Sequence, residues 1–537
     1  MITPIPQVAA LSTSAIIAIP MLICFFALML AVGFACRKHG RSVDGFVLGG
    51  RAVGPWLTAF AFGTSYFSAV IFVGYAGQFG WNFGLASTWI GLGNAFIGSL
   101  LAWAVLGRRT RVMTQHLGSK TMPDFFEKRY DSRKLKVVAS FIVFVFLIPY
   151  TASLYNGLSS LFNNVFAVDY WVVVVIMAVL TGIYVIFGGY MATAINDFIQ
   201  GIIMLAGIVA VIVAVLQQNG GFNQAVEALG VQAGPSYTSL FGTDPMFLLF
   251  VVLLTSLGTW GLPQMVGKFY SIKDEGAIKK GTLISTIFAI VVAGGCYFLG
   301  GFGRLYEDQM MADGFIKNGA VLFDKVIPTM LGDLSPVIVA IIVVLVLAAS
   351  MSTLSSLVLT SSSTLTLDVV QPLISRKKPV SERKSVLIMR LFIVFFVALS
   401  AAIAILKDTI WSDSVFIAQM MGVSWGALAG AFLAPFLYGL YWKGITKAAV
   451  ATSFVFGTGL ELVQLAISVG WLDVSGSGWL GFIFRNSLYS GVFAMIGGLV
   501  LVPLVSALTR KTLPTNVEEK FAGYNATVVA SVKDSLG

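Results

Sequence analysis

The chain has 537 residues, of which 57% are hydrophobic and only 11% charged, with mean hydropathy +0.89. Soluble globular domains carry about 25% charged residues, so this chain lacks the polar side chains to cover a water-facing surface. The net charge of +10 does not point to nucleic acid, because the Lys and Arg residues sit in short loops between apolar runs, where membrane topology accounts for them.

Crossing a bilayer takes about 20 predominantly apolar residues. Thirteen segments meet that length: 9–36, 55–78, 83–106, 136–162, 169–188, 194–216, 246–270, 280–304, 334–367, 386–406, 415–441, 446–469 and 485–508. Met1–Gln7 carries no positive charge, and the run from Val8 to Cys36 is too long for a signal-peptide core, so it reads as a retained first helix. Segment 120–135, KTMPDFFEKRYDSRKL, mixes aromatics with charges and reads as an interfacial cytoplasmic helix. With alternate loops assigned to opposite sides, 29 of the 34 Lys and Arg residues fall on one side and 5 on the other. That asymmetry predicts an odd number of spans in a cell membrane, N-terminus outside and C-terminus cytoplasmic. Residues 1–510 then form a single transmembrane domain and 511–537 a short cytoplasmic tail.

Inside the spans, helix-breaking residues mark where backbone is irregular at membrane depth. The second span, AFAFGTSYFSAVIFVGYAG, has Gly63, Thr64, Ser65 and Ser68 at its middle. The seventh, TSLGTWGLPQMVGKF, has Gly258, Gly261 and Pro263. Interruptions five spans apart suit a transporter built of two inverted five-helix repeats, about 55–216 and 246–441. Packing needs also place Gly and Pro in membrane helices. In the ninth span eleven of the seventeen residues from Ser350 to Thr366 are Ser or Thr. Most can bond back to their own helix. Ala349, Ser352 and Thr353, at i, i+3 and i+4, share one face, and Ser355 and Ser356 continue it. Hydroxyls clustered beside unwound carbonyls make an all-oxygen cage suited to a hard monovalent cation.

Two acids lie at depth. Asp197, at the start of the sixth span, suits either a cation site or a helix cap, and Glu461 in the twelfth suits snorkelling or a packing hydrogen bond. Cys24, Cys36 and Cys296 form no CxxC pair, and His39 and His116 are the only histidines, so the sequence points to no transition-metal site and no cofactor. It carries no nucleophile elbow and no phosphate loop next to a strand, which speaks against an enzyme.

DGFVLGGRAVGPW, MPDFFEKRY, GGYMATAINDFIQG, WGLPQMVGKFYSIKD, LAASMSTLSS and GALAGAFLAPFLYGLYWKGIT occur in that order between Asp44 and Trp442. Together they resemble the sodium/solute symporter family, which includes sodium-coupled glucose, proline, pantothenate and monocarboxylate carriers. The resemblance implies a leucine-transporter-type inverted repeat of 5+5 core helices, the second to eleventh spans, plus one N-terminal and two C-terminal helices. It also implies a sodium site from the carbonyls of Thr64, Phe67 and Ala349 and the hydroxyls of Ser352 and Thr353. In some members a second sodium is bound by residues matching Asp197, Ser352, Ser355 and Ser356. The solute would lie near Ser65, Tyr66, Ser68, Tyr150, Thr259, Trp260, Gln264 and Gln419. The sugar-carrier pattern across the first break is absent, and Tyr66 stands where proline carriers have an acid. TSYFSA is closer to the pantothenate branch, and LAASMSTLSS is as close to the proline branch. The expected function is sodium-coupled import of a small polar organic solute by alternating access, an amino acid, pantothenate or small carboxylate. The sodium ion, the solute and the lipid bilayer are the expected partners. A transporter-like receptor would need a kinase module the tail is too short to hold, and an uncoupled channel would conduct without solute.

Overall fold

The computed structural model describes residues 12–166, 168–317, 319–374, 380–410, 417–474 and 478–525. Met1–Gln7, the loop cations Arg376, Lys377 and Lys378, and the tail residues 526–537 lie outside the described residues.

Among the described residues ten helices are long and apolar enough to cross a membrane, or eleven if Pro245–Gly261 and Pro263–Ser271, bent by 47°, form one span. Two of the ten are too long for one crossing. Val70–His116 has 47 residues and Tyr170–Gln218 has 49. At about 1.5 Å per residue the latter would reach about 73 Å, more than twice a hydrocarbon core of about 30 Å. Both contain a left-handed glycine: Gly84 at φ 61°, ψ −140° and Gly189 at φ 56°, ψ −144°. The boundary expected at residues 78–83 thus falls at Gly84, and that expected at 188–194 falls at Gly189.

Burial separates a centre from a rim. The most apolar stretch of Pro336–Ile374 is 83% buried and that of Gln419–Tyr441 is 89% buried, against 22% for Thr13–Arg41 and 33% for Lys447–Ser468. The Ser/Thr-rich helix is therefore surrounded by protein, where its hydroxyls can find partners that lipid could not supply.

The Met122–Tyr130 helix departs from the interfacial reading. Thr121 caps it by accepting from the Asp124 N–H. Phe125 and Phe126 pack on Phe432, Phe436 and Phe454 rather than on lipid. Arg129, fully buried, donates to the carbonyls of Gly439 and Trp442, and the Tyr130 hydroxyl donates to Pro435 O. Burial pushes the Asp124 carboxyl up, but Lys136 and Lys128 more than offset this and hold it below the ordinary carboxylate value. Nearby, the Val53 N–H donates to Ser271 O (3.1 Å) and the Lys273 N–H to Val53 O (3.0 Å), strapping the approach to the first broken helix onto the end of the second.

Gly189 should be irreplaceable. A Cβ there would lie 2.8 Å from Phe46 O in a backbone region closed to L-residues. Gly189→Ala is expected to destabilise the purified protein by about 1–3 kcal/mol, read as a lower thermal-unfolding midpoint in detergent. An unchanged midpoint would mean the chain does not turn here as described.

Candidate functional site

The Pro55–Tyr66 helix begins with Pro at its first position, where the missing N–H costs nothing. It ends because Phe67 is extended (φ −86°, ψ 111°), its N–H still donating to Gly63 O. The chain turns helical again just beyond, with Ser68 O accepting from the N–H groups of Ile71 and Phe72. The carbonyls of Thr64 and Phe67 are left outside the helical ladder, in residues buried within the protein.

The Ser/Thr-rich helix supplies what they lack. Ser352 Oγ lies 3.2 Å from Thr64 O and 3.1 Å from Ala349 O. Thr353 Oγ1 lies 3.0 Å from Thr64 O, 3.4 Å from Phe67 O and 3.2 Å from Ala349 O. All five oxygens expected for the first sodium site thus meet at one point. Two hydroxyl protons are shared among three carbonyl oxygens, so lone pairs remain unpaired at the centre of the cluster. A neutral, all-oxygen, buried cage with surplus lone pairs is the donor set a hard monovalent cation takes.

One turn further along the same helix, Ser356 Oγ hydrogen-bonds Ser65 Oγ (2.7 Å) and accepts from Lys268 Nζ (3.0 Å). Lys268 Nζ also lies 3.7 Å from Asp197 Oδ2, and both side chains are almost completely buried. Ser355 Oγ donates to Ser352 O. The capping reading of Asp197 fails, because Asp197 lies eight residues beyond Gly189, well inside the resumed helix, and neither of its oxygens accepts a hydrogen bond. Lys268, counted among the loop cations in the sequence, is buried within Pro263–Ser271.

The expected solute residues divide into two groups. Ser65 is held by Ser356, the Thr259 hydroxyl donates to Ser256 O, and Trp260 Nε1 donates to Ile97 O, so these three brace the breaks against neighbouring helices. By contrast the polar side-chain atoms of Tyr66, Ser68, Tyr150 and Gln264 are buried without a hydrogen-bond partner. Trp425, which carries no motif in the sequence, joins this second group. Its ring packs on Tyr66 (5.6 Å) and Tyr150 (6.0 Å), and its Nε1 is also unpartnered. Gln419 is half-buried at the start of the same helix, six residues before Trp425. Asn94 also escaped the sequence reading. Its side chain accepts from Ser256 and lines a small cavity with Tyr66, Phe67 and Thr259. Buried polar atoms are normally paired, so these groups have hydrogen-bonding capacity to spare.

Glu461 does not snorkel. It is fully buried and accepts from the Ser490 hydroxyl at 2.8 Å, joining two outer helices beside Gly426.

A family model described as the sodium:solute symporter family matches residues 46–457. A sodium/proline symporter of Staphylococcus aureus is 29% identical over 505 residues, covering 91% of this chain and 92% of that one. Among solved structures, a Na⁺-coupled sialic acid symporter in a substrate-bound outward-open state superposes with TM-score 0.70 at 16% identity, covering 92% of this chain and 98% of that one. A nucleobase-cation-symport-1 family transporter in a closed conformation gives TM-score 0.47 at 15% identity, covering 89% and 98%.

Orphaned and satisfied hydroxyls should respond oppositely to deletion. Tyr130→Phe removes a paired hydroxyl and is expected to destabilise the ligand-free protein by about 1 kcal/mol. Tyr66→Phe and Tyr150→Phe remove unpaired ones and are expected to leave the unfolding midpoint unchanged or raise it. A drop matching that of Tyr130→Phe would show that these hydroxyls are already paired and not waiting for a ligand.

Proposed function

The chain belongs to the sodium:solute symporter family, membrane transporters that import a small solute coupled to sodium, and on that premise we propose how its residues divide the work. The coupling ion binds the carbonyls of Thr64, Phe67 and Ala349 and the hydroxyls of Ser352 and Thr353. The observation that carries this is the convergence of those five oxygens on the first break. For the ion to enter, the two hydroxyls rotate their protons away, and the oxygens that faced each other face sodium instead. The break is thereby clamped to the Ser/Thr-rich helix when sodium is present and released when it leaves. That differential contact is what an ion must supply to shift an alternating-access equilibrium.

The solute sits beside this clamp, against Tyr66, Ser68, Tyr150, Gln264 and Trp425, with Gln419 nearer the pocket's end and Ser65, Thr259 and Trp260 shaping the breaks. The helices that resume after Phe67 and at Pro263 aim the positive ends of their dipoles at the gap. A small solute bearing a carboxylate, an amino acid such as proline, pantothenate or a short acid, suits those dipole ends and the aromatic wall. The similarity to sodium/proline symporters supports an amino acid within this class.

For the architecture we propose thirteen spans. Gly84 and Gly189 would each separate two of them, and the helices either side of Phe67 and of Leu262 would each make one broken span. The core repeats run about 55–216 and 246–441 within a domain of residues 1–510, with the N-terminus outside and the tail from 511 in the cytoplasm. The turns at both glycines and the sialic acid symporter superposition support this layout.

Ser352→Ala with Thr353→Ala should raise the sodium concentration for half-maximal uptake at least tenfold, about 1.4 kcal/mol, while the order of preference among competing solutes stays the same. Uptake into proteoliposomes across a sodium series checks this. Unchanged sodium activation in a folded double variant would remove the cage from the mechanism.

A further inference from the structure

Asp197 is a fully buried carboxylate whose oxygens accept no hydrogen bond, and such a group needs a cation close by. Among the described residues the cation within ion-pair distance is Lys268, at 3.7 Å. The ammonium also donates to Ser356 Oγ and lies 5.3 Å over the Tyr190 ring. Two of the oxygen-bearing side chains that a second sodium would use, Asp197 and Ser356, are therefore engaged by a positive charge already fixed to the protein. Lys268 and a sodium ion on the same buried carboxylate would repel one another at close range.

We propose that Lys268 is a tethered cation that fills the second-cation position at Asp197, so that one sodium ion, at the Ser352/Thr353 cage, is carried per transport cycle. The inference rests on sodium binding at that cage. Three features favour the lysine as the resident charge. Its helix is bent by 47° from the preceding one, and the Lys268 side chain it carries is almost completely buried. Its contact with Asp197 is looser than the 2.8 Å that Lys136 reaches to Asp124, leaving room for the ammonium to move. Lys268 and Ser356 also line, with Gln264, Lys120 and Thr121, a small cavity on the side of the loops, so the ammonium is not sealed on every side. Through Ser356 and Ser65 it reaches the first broken helix as well. It is thus a positioning charge that shares a hydrogen-bonded chain with the clamp.

The test is the number of sodium ions bound per chain, counted with ²²Na⁺ on purified full-length protein. The expected results are one ion for the wild type, two for Lys268→Gln, and one again for Lys268→Gln with Asp197→Asn. Should Lys268→Gln fail to fold, Lys268→Met, which keeps the packing of the stem, takes its place with the same expectation. Two ions in the wild type, or one in the folded neutral variants, would overturn the proposal. Failure of the cage reading looks different. There, Ser352→Ala with Thr353→Ala would leave the wild-type ion in place, whatever the state of Lys268.

Discussion

The structure depends on the contact between two hydroxyls and two stranded carbonyls. A membrane helix that stops at Tyr66 leaves the carbonyls of Thr64 and Phe67 without helical partners, and lipid offers none. Ser352 and Thr353 can reach both because they lie on one face of a helix held at the centre of the bundle. The same contact gives the break its chemistry. Oxygens that stabilise each other weakly through shared protons are open to a stronger partner, so the backbone irregularity and the proposed ion site are one feature.

At the opposite end of these helices, ion pairs and side-chain-to-carbonyl bonds join several elements. Lys136 reaches Asp124 and Glu127 at 2.8 Å and Asp368 at 3.5 Å, and Thr121 donates to the other oxygen of Asp368. Arg51 and Arg111 donate to the carbonyls of Tyr270, Ser119 and Ile272. These bonds join both broken helices to the short Met122–Tyr130 helix and to the end of the Ser/Thr-rich helix. Opening a path on this side means separating several of them together, which suits a gate with discrete states better than a gradual one. Asp124 contributes most above the ordinary carboxylate range, and its contribution fades as pH falls through its depressed value.

Between these two regions lie the unpaired groups of Tyr66, Ser68, Tyr150, Gln264 and Trp425. Each costs stability until something pairs it. The solute position proposed beside the first break would pair them. Aromatic rings carry most of its wall, because they fill space rigidly while keeping a polar edge available.

The sequence by itself determined the membrane class, the two breaks and the shared face of Ala349, Ser352 and Thr353, while the Thr64 and Phe67 carbonyls entered through the family resemblance. Lipid imposes simple rules on apolar length and on Gly, Pro and Ser inside a span, and i, i+3, i+4 spacing fixes a helix face without any tertiary information. Asp197 stood out for a related reason, since an acid at depth is costly wherever it lies. Only the tertiary structure decided what meets these residues. Lys268 was tallied with the loop cations although it falls within the seventh span, and only the folded chain shows it buried beside Asp197. Trp425 had no distinguishing neighbour in its own helix, and it gained a role from Tyr66 and Tyr150 on two others. Phe125 and Phe126 could equally have faced lipid until the helix carrying Phe432 and Phe436 was set beside them. In each case the deciding contact joins residues far apart in the chain, and helix periodicity holds no record of such pairs.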